Sequence, residues 1–501
     1  MSLNALLYKL ARRPRLVDVF LRTYDLGITA FGGPPVHFQI LHRRFVDGLG
    51  KTPWIDEQTY QELFGISQAL PGPASTKMVF SIAQIHAGLL PAIFVFLLWS
   101  LPGAIAMYGL SLGVQRIGDV LPAPAYALLS GLNAATVGII ALAAVQLARK
   151  AITDKLTRIL VVVGGCAGLC YNALWYLPVL IVVGGLSTLI WDTFGRRWIR
   201  RIKMRRRSVI GGIQELVPRE SATAGQNPDD ITISPTGPQR RQALTTATLS
   251  SITPLNPLQE SDPAPQPSQN DISAHSIAIK CGISLIVLFF TAFATFITLR
   301  AVLPNPPLLL SLFNNMFLAG TIIFGGGPVV IPLLRDYVVE PGWVSPRDFL
   351  LGLAIIQAMP GPNFNFAVYL GALTIAGSGG KMPSIVGALI AFLGIFAPGL
   401  WLSVGFQSIW RVLRKRREVV SLLRGVNAAA VGFVFTAVYR LWEIGYLTAE
   451  QSKGVSLGQE PWWLIVAATT FTIVEWFAVP PAAAILLGGI AGLGWWGATQ
   501  R

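Results

Sequence analysis

The sequence predicts an all-α polytopic membrane protein made of two homologous halves, arranged as an inverted-topology repeat. Three observations carry this expectation. The chain is 53% hydrophobic and 13% charged, whereas soluble globular proteins carry about 25% charged residues. Apolar runs near the roughly 20 residues that cross a bilayer recur along it; LLPAIFVFLLWSLPGAIAMYGL and IAIKCGISLIVLFFTAFATFITL are two of them. A series of short blocks also occurs twice, in the same order.

The first copy reads FGGPPVHFQILHRRF, then PWIDEQTYQELFGISQALPGP, LPGAIAMYGLS and LLSGLNAATVG. The second reads FGGGPVVIPLLRDYV, then GWVSPRDFLLGLAIIQAMPGP, APGLWLSVGFQS and LLRGVNAAAVG. One shared PGP arises easily by chance; four ordered blocks about 290 residues apart argue for internal duplication. The halves are expected at 1–194 and 305–501. Between them, 195–275 opens with GRRWIRRIKMRRR and continues rich in Ser, Thr, Pro, Gln and Asn. Such a segment cannot bury enough apolar area to offset its ordering entropy, so it reads as a disordered cytoplasmic linker. Residues 276–304 hold an additional span with no counterpart in the first half.

Charge decides the topology. The net charge of +15 is concentrated beside membrane spans, which is what the positive-inside rule produces and not a nucleic-acid footprint. Spans are expected at 16–33, 59–90 (broken at PGP), 91–114, 124–148, 157–173 and 175–194. If 59–90 crosses, the linker, the N-terminal Arg12, Arg13 and Arg15, and the loop with Arg149, Lys150, Lys155 and Arg158 are all cytoplasmic. If it returns as a re-entrant hairpin, the basic N-terminus lands outside. A broken crossing is therefore expected. After the added span 276–301, further spans follow at 307–325, 348–376, 383–407, 418–443, 461–478 and 480–498. The loop RVLRKRRE then falls in the cytoplasm, opposite in charge and side to its first-half counterpart with Arg116 and Asp119. The sum is about thirteen crossings. The N-terminus and linker are expected inside and the C-terminus outside, in a plasma membrane.

Inverted repeats with discontinuous helices are a recurring plan of secondary transporters. Breaking a helix in hydrocarbon frees backbone groups, which is costly unless they line a cavity or find partners. Each break, Pro71-Gly72-Pro73 and Pro360-Gly361-Pro362, is followed by a restarting helix whose free N–H groups favour an anion. The first-turn residues agree: Ser75, Thr76 and Lys77 in one copy, Asn363 and Asn365 in the other. Gly32, Gly33, Gly325, Gly326 and Gly327 let main chain approach a ligand or let helices pack closely. Gln68 and Gln357, one turn before each break, cap freed groups or touch substrate. Lys77 neutralises substrate charge or pairs with an acid such as Glu62; Phe366 occupies its slot in the second copy. Asp25, Glu62, His37 and His86 are the candidate proton carriers. Arg22 and Asp25 are spaced as a mutual pair. Asn133 and Asn427, at matching positions, suit helix–helix hydrogen bonds.

No catalytic constellation is visible. The three cysteines make neither a disulfide framework nor a metal spacing, and the histidines are scattered, so no metal or cofactor is expected. The N-terminal stretch is a poor signal peptide, because Arg22 and Asp25 interrupt its apolar run. No GxxxxGK[ST] loop is present, which argues against direct ATP hydrolysis and for an ion gradient. An intramembrane enzyme lacks its nucleophile and base, and a scaffold would not need two costly breaks.

The paired FGG and PGP motifs, over roughly 15–150 and 305–440, resemble the two-domain form of the chromate ion transporter superfamily. The long hydrophilic linker is similar to that of fungal members. The resemblance implies transport of chromate, a tetrahedral dianion, and of sulfate as its analogue. It also implies proton-driven efflux or uptake, and thus chromate resistance or sensitivity. It places the family motifs on Phe31-Gly32-Gly33-Pro34, Pro71-Gly72-Pro73, Phe324-Gly325-Gly326-Gly327-Pro328 and Pro360-Gly361-Pro362. The expected partners are a small oxyanion and membrane lipid, with a homodimer left open and no nucleic acid. A carrier for a carboxylate or another anion is the alternative.

Overall fold

Capping and breaking residues set the element boundaries. The computed structural model describes residues 13–31, 33–117, 121–170, 176–195, 278–323, 334–413, 416–451 and 454–499. The expected linker from residue 196 on lies outside them, as do Gly32 and the second FGGGP segment with Gly325, Gly326 and Gly327. The first half holds α1 (Arg13–Thr23), α2 (Leu26–Thr29), α3 (Gly33–Phe45), α4 (Glu57–Ala69), α5 (Ala74–Ala87), α6 (Leu89–Val114), α7 (Ala123–Ala151), α8 (Lys155–Cys170) and α9 (Tyr176–Ile190). The additional helix is α10 (Ile279–Val302). Then come α11 (Leu308–Ile322), α12 (Pro346–Ala358), α13 (Phe366–Gly377), α14 (Ser384–Leu413), α15 (Arg417–Trp442), α16 (Pro461–Phe477) and α17 (Pro481–Thr499). Among the described residues, α6, α7, α10, α14, α15 and α17 are long and apolar enough to cross a membrane.

The chain around each PGP is not a broken crossing. α4 starts at the Asp56 cap, whose carboxylate accepts from Thr59 N at 3.0 Å, and ends at the break. α5 then folds back along it. Ser67 Oγ meets Met78 Sδ at 3.8 Å. Trp54, just ahead of α4, stacks on His86 at the end of α5 with ring centroids 4.3 Å apart. A straight traverse would separate those rings by tens of ångströms at about 1.5 Å per residue. Residues 57–87 thus form a hairpin of two short helices where the sequence predicts one broken helix running in a single direction. The second copy does the same. Ser345 Oγ caps α12, accepting from Asp348 N at 3.0 Å. Tyr369 on α13 reaches back to Asp348 O at 2.7 Å.

The expected crossing at 16–33 is corrected likewise. After α2 the chain returns as α3, and Arg44 near its end pairs with Asp25 and donates to Arg22 O. Trp54 N bonds Phe45 O, and its indole donates to Asp18 at 3.0 Å. Arg22 pairs with Asp18, one turn back, at 2.9 Å and with Thr52 O, so the expected Arg22–Asp25 pair does not form.

The long helices pack in matched sets. α6 runs antiparallel to its repeat partner α14: Tyr108 meets Ser384 and Phe96 meets Phe396. α8 lies parallel to α15, with Gly164 against Ala429 and Gly168 against Thr436. α9 runs antiparallel to α15, with Thr188 Oγ1 on Ser421 O at 2.6 Å. The other half repeats this. α16 lies parallel to α7, with Gly138 on Ala467 and Gln146 on Glu475. α17 runs antiparallel to α7, with Gly131 on Gly488 and Gly492. Each half thus lays its last two helices on the other's central helix. Glycine permits these crossings: a Cβ on Gly131 would lie 2.2 Å from Gly488 O, and one on Gly425 would lie 2.1 Å from Gly184 O. Asn133 ties the halves further by donating to Gly445 O at 3.0 Å.

The hairpin has a direct test. Cysteines replacing Ser67 and Met78 in a background lacking native cysteines should form an intramolecular disulfide under mild oxidation, read by peptide mass. A traverse would hold them about 16 Å apart, beyond disulfide reach.

Candidate functional site

The two breaks lie in the interior. Leu70, Pro71, Gly72 and Pro73 are all buried, as are Gly361 and Pro362. Each tip docks on the other half. Gly72 N donates to Ile323 O at 2.7 Å, and Gly361 N donates to Ala30 O at 2.9 Å. Ile323 and Ala30 are the C-cap residues of α11 and α2, so their carbonyls belong to the set that helix ends leave unpaired. Both tip glycines have left-handed backbone, φ 94° at Gly72 and 81° at Gly361, which suits only glycine at low cost. Space demands glycine too: a Cβ on Gly72 would lie 2.7 Å from Gly399 Cα.

Gly399 exposes a feature the sequence reading passed over. The repeated Pro-Gly of LPG and APG lies inside α6 and α14, at Pro102-Gly103 and Pro398-Gly399. These long helices are the floors on which the tips rest. A Cβ on Gly103 would lie 2.5 Å from Asn365 Nδ2, and one on Gly27 would lie 2.2 Å from Leu98 O. Leu98 is the carbonyl that Pro102 leaves without its helical donor. The signal was present as a third repeated block; its meaning needs the tip positions.

Around the first tip, Lys77 is fully buried and donates to Leu70 O and to Pro71 O, the latter at 2.9 Å. It therefore satisfies carbonyls that the break frees. Ser75 Oγ lies 3.1 Å from His37 Nδ1, and His37 Nε2 donates to Ala30 O at 3.1 Å. Thr76 Oγ1 accepts from Trp99 Nε1 at 3.1 Å. At the second tip, Asn365 Nδ2 donates to Ser100 O at 2.9 Å, and Asn363 Nδ2 donates to Gln357 Oε1 at 2.9 Å. Ala30 O thus serves both His37 and the opposite tip, and Trp99 and Ser100 are adjacent on α6. The sequence-expected Ser75, Thr76, His37, Gly361 and Asn365 are joined through residues the sequence did not nominate: Ala30, Trp99 and Ser100.

Three buried polar atoms here have no hydrogen-bond partner among the described residues: Ser100 Oγ, Asn365 Oδ1 and Gln357 Nε2. Each such group costs about 1–3 kcal/mol. The remaining nominees are more distant in role. Gly33, with φ 76°, begins α3 in open space. Gln68 is half-buried one turn before the first break, and Glu62 is half-buried on α4. Asp25 is paired with Arg44 at 2.8 Å. Among the described residues no cluster of His, Cys, Asp and Glu could hold a metal ion.

The sequence matches the Chromate transporter family over residues 17–189 and 310–493. The chain belongs to that family. It is similar to the chromate transport protein of Pseudomonas aeruginosa, 22% identical over 95% of this chain and 91% of that one. It is also similar to the probable chromate transport protein of Synechococcus elongatus, 24% identical over 85% of this chain and 83% of that one. The chromate transport protein of Cupriavidus metallidurans is 23% identical over 85% of this chain. No solved structure matches the chain. Membership makes this a membrane transport protein and not an enzyme. The two stretches matching the Chromate transporter family carry both FGG motifs, both PGP tips and both Pro-Gly floors.

The tip geometry predicts a graded cost of methyl addition. Gly379 has φ 66° with nothing near its Cβ position, so Gly379→Ala carries backbone strain alone, about 1–2 kcal/mol. Gly72→Ala adds a clash against α14 and should lose about 1–3 kcal/mol more. Thermal unfolding in detergent reads the difference.

Proposed function

We propose that the chain is a secondary transporter for chromate, and for sulfate as its tetrahedral analogue, with the dianion held between the two PGP breaks. The observation that carries this is the pair of buried tips, each docked on the other half, with the unpaired Ser100 and Gln357 donors beside the second. Backbone N–H groups at the start of α5, the Ser75 and Thr76 hydroxyls, and the amides of Asn363 and Asn365 make a donor-rich, acid-free surround. Lys77 contributes its charge from behind the break while holding its carbonyls. The names of the similar proteins support chromate as the substrate.

The proposed topology is an inverted repeat of nine crossings, α6 to α10 and α14 to α17, with re-entrant hairpins dipping from opposite faces. The antiparallel α6 and α14 support this. Four crossings then precede the linker, which keeps the N-terminus and linker on the cytoplasmic side of a plasma membrane and the C-terminus outside. Cationic Arg43, Arg44 and Lys51 at the first hairpin bases face the cytoplasm in this arrangement, in line with the positive-inside rule. The domains are 1–194, the linker 195–275, the inverting span 276–304 and 305–501.

Two measurements follow. In proteoliposomes, chromate uptake should saturate, and sulfate should compete while a dicarboxylate does not; flux equal to empty vesicles defeats the proposal. In intact cells, a cysteine at Lys51 should resist a membrane-impermeant thiol reagent, and one at Gly342, beside the second hairpin, should react.

A further inference from the structure

Among the proposed proton carriers, His37 bonds Ser75 after the first break and shares the Ala30 carbonyl with the second tip. It is 2% exposed. Its Nε2 faces a carbonyl, Ala30 O, which only accepts, so Nε2 carries a hydrogen. In the neutral ring Nδ1 is then an acceptor, and it takes the hydrogen of the Ser75 hydroxyl 3.1 Å away. The hydroxyl has one hydrogen and has spent it. A proton added at Nδ1 reverses the bond: the ring donates to Ser75 Oγ, and the hydroxyl hydrogen swings free. Ser75 lies in the first turn of α5, beside the free N–H groups of that helix start. The freed hydrogen and the new ring charge both favour an anion there.

We infer that His37 is a positioning residue that couples the proton to the anion through the orientation of the Ser75 hydroxyl. This rests on the anion-transport reading above. Proton and anion then raise each other's affinity by the same factor. One proton is taken from water with the anion and released with it on the far side, so the loaded site carries less net negative charge than the anion alone. The coupling lies on the first half only, because the residue in register with Ser75 after the second PGP is Phe364, packed on Phe396.

Other charged groups near His37 are engaged elsewhere. On α5, Lys77 holds the Leu70 and Pro71 carbonyls, and His86 stacks on Trp54. On α4, the Tyr60 hydroxyl donates to Phe38 O, Glu57 accepts from Gln61 and His42, and Glu62 sits a turn beyond Glu57. On α3 itself, His42 meets Glu57, Arg44 meets Asp25 ahead of α2, and Arg43 lies near the same end. On α6, the ring nearest His37 is the uncharged Trp99, edge-on at 5.1 Å.

The test measures the KM for chromate in proteoliposomes at about pH 4.5 and about pH 7 for wild type, His37→Gln and Ser75→Ala. Glutamine keeps a donor for Ala30 and an acceptor for Ser75 but cannot charge. Chromate's own protonation is common to all three proteins, so the variant-to-wild-type ratio is read. That ratio should be several-fold at about pH 4.5 and fall towards one at about pH 7 for both variants. A ratio that does not change with pH overturns the coupling. Size-exclusion profiles report folding, and Ser75→Ala, which keeps the ring, decides the matter if His37→Gln misfolds. A wild-type protein with no chromate flux at either pH overturns the transport reading instead, which keeps the two failures distinct.

Discussion

Backbone buried away from water must find partners, and the amides of the two PGP tips find theirs in each other's half. A hairpin of two short helices exposes the amides at its turn, and water is not there to receive them. Here the Gly72 amide lands on the C-cap carbonyl of α11 and the Gly361 amide on that of α2. Orphan donors meet orphan acceptors, while Lys77 holds the Leu70 and Pro71 carbonyls from within the first half. The rest follows from that dependence. The tips need floors without side chains, which Gly103 and Gly399 supply. The halves must be locked in register, which the exchanged α8 and α9, and α16 and α17, achieve across glycine crossings.

Much of this was legible in the sequence, because repetition and hydropathy are strong signals. The long helices fall within a few residues of the expected spans: α6 at 89–114 against 91–114, and α15 at 417–442 against 418–443. What hydropathy cannot distinguish is one broken crossing from two half-depth helices, since both use about thirty mostly apolar residues. The deciding contact, Trp54 on His86, joins residues with no local pattern between them. The span at 16–33 was misread for the same reason. In the topology proposed above each hairpin removes one crossing, so the even number ahead of the linker falls from six to four and the proposed sidedness of both termini is unchanged.

The site was legible in its motifs and not in its wiring. Glycine in PGP announces a special backbone, and φ 94° and 81° agree with it. Lys77, though, reads from sequence as a charge awaiting substrate or an acid, when its nearest duty is to Leu70 and Pro71 carbonyls. Asp25 reads as a partner for Arg22, three residues away, when Arg44 reaches it across a turn. In both cases a contact brought by the hairpin outcompetes the helical neighbour, and periodicity carries no trace of it.

Duplication copied the scaffold and not the chemistry. In register from the two PGP motifs, Ser75 faces Phe364, Thr76 faces Asn365 and Lys77 faces Phe366. Ser100, to whose carbonyl the second tip's Asn365 donates, also belongs to the first half, through α6. A symmetric pair of breaks could hold an anion on each side of its axis. Here Phe364 and Phe366 are buried against Phe396 and Phe349, which removes hydroxyl and charge from one side. The proposed site is therefore single: the second half contributes amides and shape, and the first contributes hydroxyls, the ammonium and the imidazole. A tetrahedral dianion bound off the pseudo-symmetry axis sees one side that can change its protonation and one that cannot, which is the asymmetry a gradient-driven carrier needs to tell its loaded state from its empty one.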